Sequence, residues 1–133
     1  MPKKILVVDD EPHIVRLVEI NLMRVGYEVV CAYDGVEALE KVASERPDLI
    51  TLNVMMPRMD GWEVMEHLQA NPETKDIPVI FLTGQTTDAD IFKGWGLGCK
   101  AYLTKPLNPR ELLNQVSAAL DSSVSSDNES WRV

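Results

Sequence analysis

The chain has 133 residues, 45% of them hydrophobic and 26% charged, with a formal net charge of −8. That is the length of one domain with enough apolar mass to bury a core, and its acidity argues against broad contact with a phosphate backbone, so no nucleic acid partner is expected. No apolar run approaches the ~20 residues that span a bilayer, and the start MPKKILVVDD lacks a small-residue cleavage site, so neither a membrane segment nor a secretory signal is expected and the expected location is the cytoplasm.

Short apolar runs alternate with amphipathic stretches of helical length, the pattern of a parallel α/β sheet. KILVV (4–8) is unbroken and apolar, as a strand buried on both faces should be. A helix follows from Pro12 to Val25, with Ile14, Leu17, Val18, Leu22 and Val25 at helical spacing and Gly26 as the stop. EVVCA (28–32) is the second strand, and Asp34 with Glu37 opens a helix to about Glu45. LITL (49–52) is the third strand, and Asp60 with Glu63 starts the next helix. IPVIFLT (77–83) is the fourth. A weaker helix runs from Asp88 to Trp95 and breaks up in GWGLG. AYLT (101–104) is the fifth strand, and Asn108, Pro109 and Glu111 cap a last helix carrying Leu112, Leu113, Val116 and Leu120. The domain is expected to fill residues 1–120. The polar, serine-rich, aperiodic remainder, 121–133, reads as a flexible tail or linker.

Polar residues collect where such sheets bind ligands, beyond the carboxyl ends of the strands. Asp9, Asp10 and Glu11 follow the first strand, Asn53 the third, Thr83 ends the fourth, and Lys105-Pro106 follows the fifth. Two adjacent carboxylates with a further oxygen ligand suit Mg2+, and a lysine with a hydroxyl suits a phosphoryl group. A carboxylate at position 53 could attack phosphorus; an asparagine cannot. Taken singly, each has a plainer reading: Asp9 and Asp10 as helix caps, Thr83 as a strand residue, Lys105 as a solvated lysine, Asn53 as a turn former. Their coincidence on four strand ends favours a site. His13 and His67 read as surface residues, Met55, Met56 and Met59 as packing residues, and Cys31 and Cys99 as buried, inert thiols.

The motifs ILVVDDEP, DLITLNVMMPRMDGWEV, IPVIFLTG and GCKAYLTKPLNPREL make the chain resemble, over about residues 3–120, the CheY-like receiver domain of bacterial two-component response regulators. The resemblance implies a doubly wound five-stranded parallel sheet of order 2-1-3-4-5, flavodoxin-like, flanked by five helices. It implies phosphotransfer from a histidine kinase or phosphotransfer protein to an aspartate ending the third strand, with Mg2+ as cofactor. Position by position, Asp10 resembles the metal ligand and Asp9 the acid holding metal-bound water, while Met55 would offer its backbone carbonyl. Thr83 resembles the switch hydroxyl, Tyr102 the aromatic residue that swings inward with it, and Lys105 the partner of the phosphoryl oxygens. The bond before Pro106 is expected to be cis. An output domain or partner protein would read the face formed by the fourth helix, fifth strand and fifth helix. The sequence departs from the family in three further places: Gly96 within GWGLG, Lys100 where an acid is common, and Gly84 in place of the usual alanine.

Asn53 falls where the phosphoaccepting aspartate should be. The substitution is nearly isosteric, so the fold should persist with weaker Mg2+ binding, and the family's self-phosphorylation and dephosphorylation should be lost, leaving no enzyme. Two origins are open: an engineered substitution that mimics the inactive state, or a natural pseudo-receiver that acts as a protein-interaction module without phosphorylation. Retention of Asp9, Asp10, Thr83 and Lys105 favours the first. An aspartyl-nucleophile phosphatase would place two acids two positions apart on the first strand, unlike the adjacent Asp9 and Asp10. A scaffold with one conformation whatever its ligand is the third class.

Overall fold

The computed structural model describes residues 2–129, and residues 2–121 with their side chains. β1 (Lys4–Val8), β2 (Glu28–Ala32), β3 (Leu49–Leu52), β4 (Val79–Thr83) and β5 (Ala101–Thr104) form one parallel sheet in the order β2-β1-β3-β4-β5. The helices are α1 (Pro12–Arg24), α2 (Gly35–Glu45), α3 (Gly61–Ala70), α4 (Asp88–Gly96) and α5 (Pro109–Glu129). This is the expected five-stranded doubly wound architecture. Because β2 and β3 lie on opposite sides of β1, the chain reverses its direction of travel across the sheet there, which opens a crevice beyond the ends of β1 and β3.

Two cores follow from side chains alternating across the sheet. On one face Ile5, Val7, Ile80, Leu82 and Leu103 pack on Val15, Val18 and Leu22 of α1 and Leu112 and Val116 of α5. On the other Leu6, Val8, Ile50, Leu52 and Phe81 pack on Ala38 and Val42 of α2 and Val64, Met65 and Leu68 of α3. Both faces of β1, β3 and β4 are therefore dry, which is why their sequences read as unbroken apolar runs rather than alternating ones.

Helix starts are fixed by short-range chemistry. The Asp60 carboxylate accepts from Glu63 N at 2.9 Å and the Glu63 carboxylate accepts from Asp60 N at 3.1 Å, a reciprocal cap for α3. Asn108 caps α5 through Glu111 N at 3.1 Å. Thr87 rather than Asp88 caps α4, its Oγ1 accepting from Asp90 N at 3.1 Å. β4 begins at Val79 rather than Ile77, since Pro78 has no N–H to give a ladder and serves only as acceptor, from Ile50 N.

The largest departure is α5, which continues past Leu120 to Glu129, where a tail is expected from Asp121. No glycine or proline lies between Arg110 and Glu129, and serine costs a formed helix only a few tenths of a kcal/mol per residue, so nothing local stops propagation. The rest of the expected tail, residues 130–133, lies outside the described residues. Among the described residues no helix is long and apolar enough to cross a membrane.

Asp34 joins α2 to the loop after β3. Its carboxylate caps α2 through Glu37 N at 2.8 Å and takes three contacts of 3.0–3.2 Å from the Arg58 guanidinium. The Glu37 amide first, then Arg58, holds this carboxyl below its ordinary 3.8. A lowered folded pKa means a contribution present above the unfolded value and lost as pH falls through the folded one. Asp34→Ala is expected to cost about 1 kcal/mol near neutral pH, as loss of a cap does. Urea unfolding of parent and variant across pH should show that difference constant down to about pH 4 and closing below it; a gap that persists under acid would contradict the assignment.

Candidate functional site

The register places the candidate residues side by side. Val8 pairs with Leu52, so Asp9 and Asn53 leave neighbouring strands together, and Asn53 N donates to Val8 O at 3.1 Å. Thr83 pairs with Thr104, and Lys105 N donates to Thr83 O at 2.9 Å. A concavity of about 350 Å³ beyond these strand ends is lined by Asp10, Glu11, Asn53, Met55, Thr83, Gly84, Gln85 and Lys105. A larger hollow of about 660 Å³, with Leu39, Val42, Leu68 and Ile77 among its lining, lies on the flank between α2 and α3, away from the strand ends. Volume alone does not mark the site.

Asn53 is 5% exposed, and its amide nitrogen faces three oxygens: Met55 O at 3.0 Å, Asp10 Oδ1 at 3.2 Å and Asp9 Oδ1 at 3.4 Å. Two N–H bonds thus point where three acceptors converge. A buried amide needs such partners, and the acids supply them. Among the described residues no group of three or more histidine, cysteine or acidic side chains gathers as a metal cluster does. Position 53 contributes an amide where a carboxylate would have made the third acid.

Lys105 lines the same concavity as Asn53 and pairs with acids. Its ammonium lies 2.9 Å from Asp9 Oδ2 and 3.0 Å from Glu11 Oε1. Burial pushes the Asp9 carboxyl up more strongly than Lys105 and the Glu11 amide draw it down. Burial also works against the Lys105 charge, but Asp9 and Glu11 together outweigh it and raise that pKa. Lys105, by hydrogen bond and charge, lowers the exposed Glu11 carboxyl. Asp9 is therefore a buried acid whose cation, Lys105, is shared with the solvent-facing Glu11.

Of the two residues expected to switch, Thr83 lines the concavity and Tyr102 packs behind it on Phe81. Thr83 is fully buried, and its Oγ1 accepts from Gln85 N at 3.2 Å. Tyr102 is already inward: its ring packs on Phe81 with centroids 5.7 Å apart, and its hydroxyl donates to Gln85 O at 2.6 Å. The Lys105-Pro106 bond is cis. Met56 and Met59 pack on the core as expected, but the Met55 side chain is 60% exposed, so only its backbone carbonyl belongs to the site. His13 and His67 are exposed. Cys99 is buried, its thiol pushed up to about 11 by burial, and half-buried Cys31 is raised for the same reason, which fits inert thiols.

The sequence places Glu11 among the strand-end acids without a role of its own, and gives no place in the site to Gly35 and Gly61. Glu11 carried a signal, a third consecutive acid after β1. Gly61 carried only the turn-like MDG. A Cβ on Gly61 would collide with the Asn53 carbonyl oxygen and lie 2.9 Å from Val54 Cα, and Gly61 N donates to Val54 O at 2.7 Å. A Cβ on Gly35 would likewise meet Met59. The loop bearing Asn53 and Met55 is thus pressed between the starts of α2 and α3.

The family model of the response regulator receiver domain matches residues 5–117. The alkaline phosphatase synthesis transcriptional regulatory protein PhoP of Bacillus subtilis (strain 168) is 48% identical over 120 residues, 90% of this chain and 49% of that protein. The chain spans about half the length of this curated relative. A CheY-like response regulator receiver domain protein from Methanospirillum hungatei JF-1 superposes with a TM-score of 0.88 at 30% identity, covering 95% of this chain and 99% of the other. The chemotaxis response regulator CheY4 of Vibrio cholerae does so with a TM-score of 0.83 at 35% identity, covering 90% and 99%.

Gly61→Ala forces a methyl group into the Asn53 backbone, and overpacking of this kind costs about 1–3 kcal/mol. The unfolding midpoint should fall accordingly. Backbone amide NMR shifts should change most at Asn53 and Val54 and little at β5; changes spread evenly over the sheet would argue against a local collision.

Proposed function

This chain belongs to the response regulator receiver domain family, and from that premise we propose that it is a two-component receiver whose phosphoacceptor position is closed by Asn53. The observation that carries the reading is the juxtaposition of Asp9, Asp10, Asn53, Thr83 and Lys105 at one sheet edge, with position 53 central among them. An aspartate there would receive a phosphoryl group from a histidine kinase or phosphotransfer protein. Asn53 has no oxygen nucleophile of that kind. The chain is then a silent phosphoacceptor switch and not an enzyme.

The oxygens facing the Asn53 amide are those a hard divalent cation takes: a carboxylate at Asp10, a carboxylate at Asp9 and the Met55 carbonyl. The donor set fits Mg2+, with one formal negative charge fewer than three acids would provide. Asp10, Met55 O and position 53 would hold the ion, and Asp9 its water. When bound, Mg2+ would supply neutralisation of phosphoryl oxygens. Lys105, which now donates to Asp9 and Glu11, would then donate to the phosphoryl oxygens instead. Cytoplasmic location and an output domain or partner contacting the α4–β5–α5 face belong to the same proposal.

A second reading, a natural pseudo-receiver acting without phosphorylation, is favoured by one observation: the acids already satisfy the Asn53 amide, so the resting site leaves it no need of a cation.

Asn53→Asp is expected to convert the chain into one that gains a phosphate by mass from a small phosphodonor in the presence of Mg2+, and to bind Mg2+ more tightly. The unaltered chain should gain none at this site. Phosphate on the unaltered Asn53 chain at this edge would sink the assignment of the nucleophile. Failure of Asn53→Asp under several donors would instead favour the pseudo-receiver.

A further inference from the structure

The inward placement of Tyr102 has a specific steric condition on α4. A Cβ built on Gly94 would lie 2.8 Å from Tyr102 Cδ2, 3.0 Å from Cε2 and 3.4 Å from Phe81 Cδ2. Gly96, two residues further along the same helix, has nothing within 4 Å of such a Cβ. Both glycines weaken the helix, so local propensity does not distinguish them. Only Gly94 makes room for the ring, which is clamped from its other end by the 2.6 Å bond to Gln85 O.

We propose that Gly94 is a positioning residue for Tyr102: it keeps the ring inward with no phosphoryl group at position 53, so the Tyr102 side of the switch is preset in this chain. Thr83, bonded to Gln85 N, is then the part left to move. The ring lies between α4 and β4 rather than on the α4–β5 surface, beneath a helix whose outer side exposes Phe92 at 78% and Trp95 at 51%. Burial, and after it Asp90 and Cys99, push the phenol of the part-buried Tyr102 up to about 12. That the ring belongs to a switch rests on the receiver reading, whereas the Gly94–Tyr102 geometry does not, and the latter is tested in the chain as it is.

The full chain is labelled with 3-fluorotyrosine, and the resonance of Tyr102 is assigned with Tyr102→Phe. Gly94→Ala should move that resonance toward the solvent-exposed position and leave those of Tyr27 and Tyr33 in place. Gly96→Ala should leave all three in place and raise the melting temperature by about 3 °C. If Gly94→Ala folds too poorly to measure, the same substitution is made in a Tyr102→Ala background, where its penalty should vanish. An unmoved Tyr102 resonance in Gly94→Ala, an equal movement in Gly96→Ala, or a penalty that survives in the Tyr102→Ala background overturns the proposal.

Discussion

The constraint on which the site depends is charge confined at the ends of β1 and β3. Asp9 is 2% exposed, Asp10 adjoins it, and the cation that faces Asp9 is Lys105, shared with Glu11. Two like charges about 4 Å apart at an effective dielectric of about 20 repel by about 4 kcal/mol. An acid at position 53 would add that repulsion to a pocket already short of positive charge, and a divalent ion would relieve it. Asn53 instead brings two N–H bonds into the same space. The acids thus have N–H partners at position 53 rather than a third charge.

The scaffold holds the site from two sides. The loop after β3 is held by Gly61 against Asn53, by Gly35 against Met59, by the Asp34–Arg58 contacts and by the reciprocal cap at Asp60 and Glu63. The opposite wall, from Thr83 to Thr87, is held by the Gln85 N–Thr83 bond, the Tyr102 bond to Gln85 O and the Thr87 cap, while Gly84 faces open space, so packing does not demand a glycine there. Under the proposed receiver reading, firm support behind position 53 is what would hold an acceptor in place.

Much of this was legible from residues alone, for local reasons. Strands buried on both faces announce themselves as apolar runs, and the caps at Asp34, Asp60 and Asn108 are encoded within four residues. The polar strand ends were legible because a parallel sheet aligns them. What escaped is non-local. GWGLG shows three weak points in a helix, but only the fold reveals that Gly94 meets the Tyr102 ring while Gly96 meets nothing. Met55 resembles its packed neighbours Met56 and Met59 until the loop turns it outward. α5 was cut short because serines resemble a linker, although a helix without a breaker continues. Glu11 was seen as an acid but not placed, because its role depends on which way Lys105 leans.

The resting contacts also change what the retained residues say about origin. From sequence, the survival of Asp9, Asp10, Thr83 and Lys105 beside Asn53 favours a recent substitution, since an idle site has no need of them. In the structure each has a resting partner: both acids accept from the Asn53 amide, Lys105 neutralises buried Asp9, and Thr83 accepts from Gln85 N. Removing Lys105 would leave Asp9 buried and unpaired, a loss of about 3–5 kcal/mol in comparable cases. Removing the acids would leave the Asn53 amide with Met55 O as the remaining acceptor of the three, one acceptor for two N–H bonds. The set therefore holds itself together without phosphoryl chemistry, and its retention weighs equally with either origin.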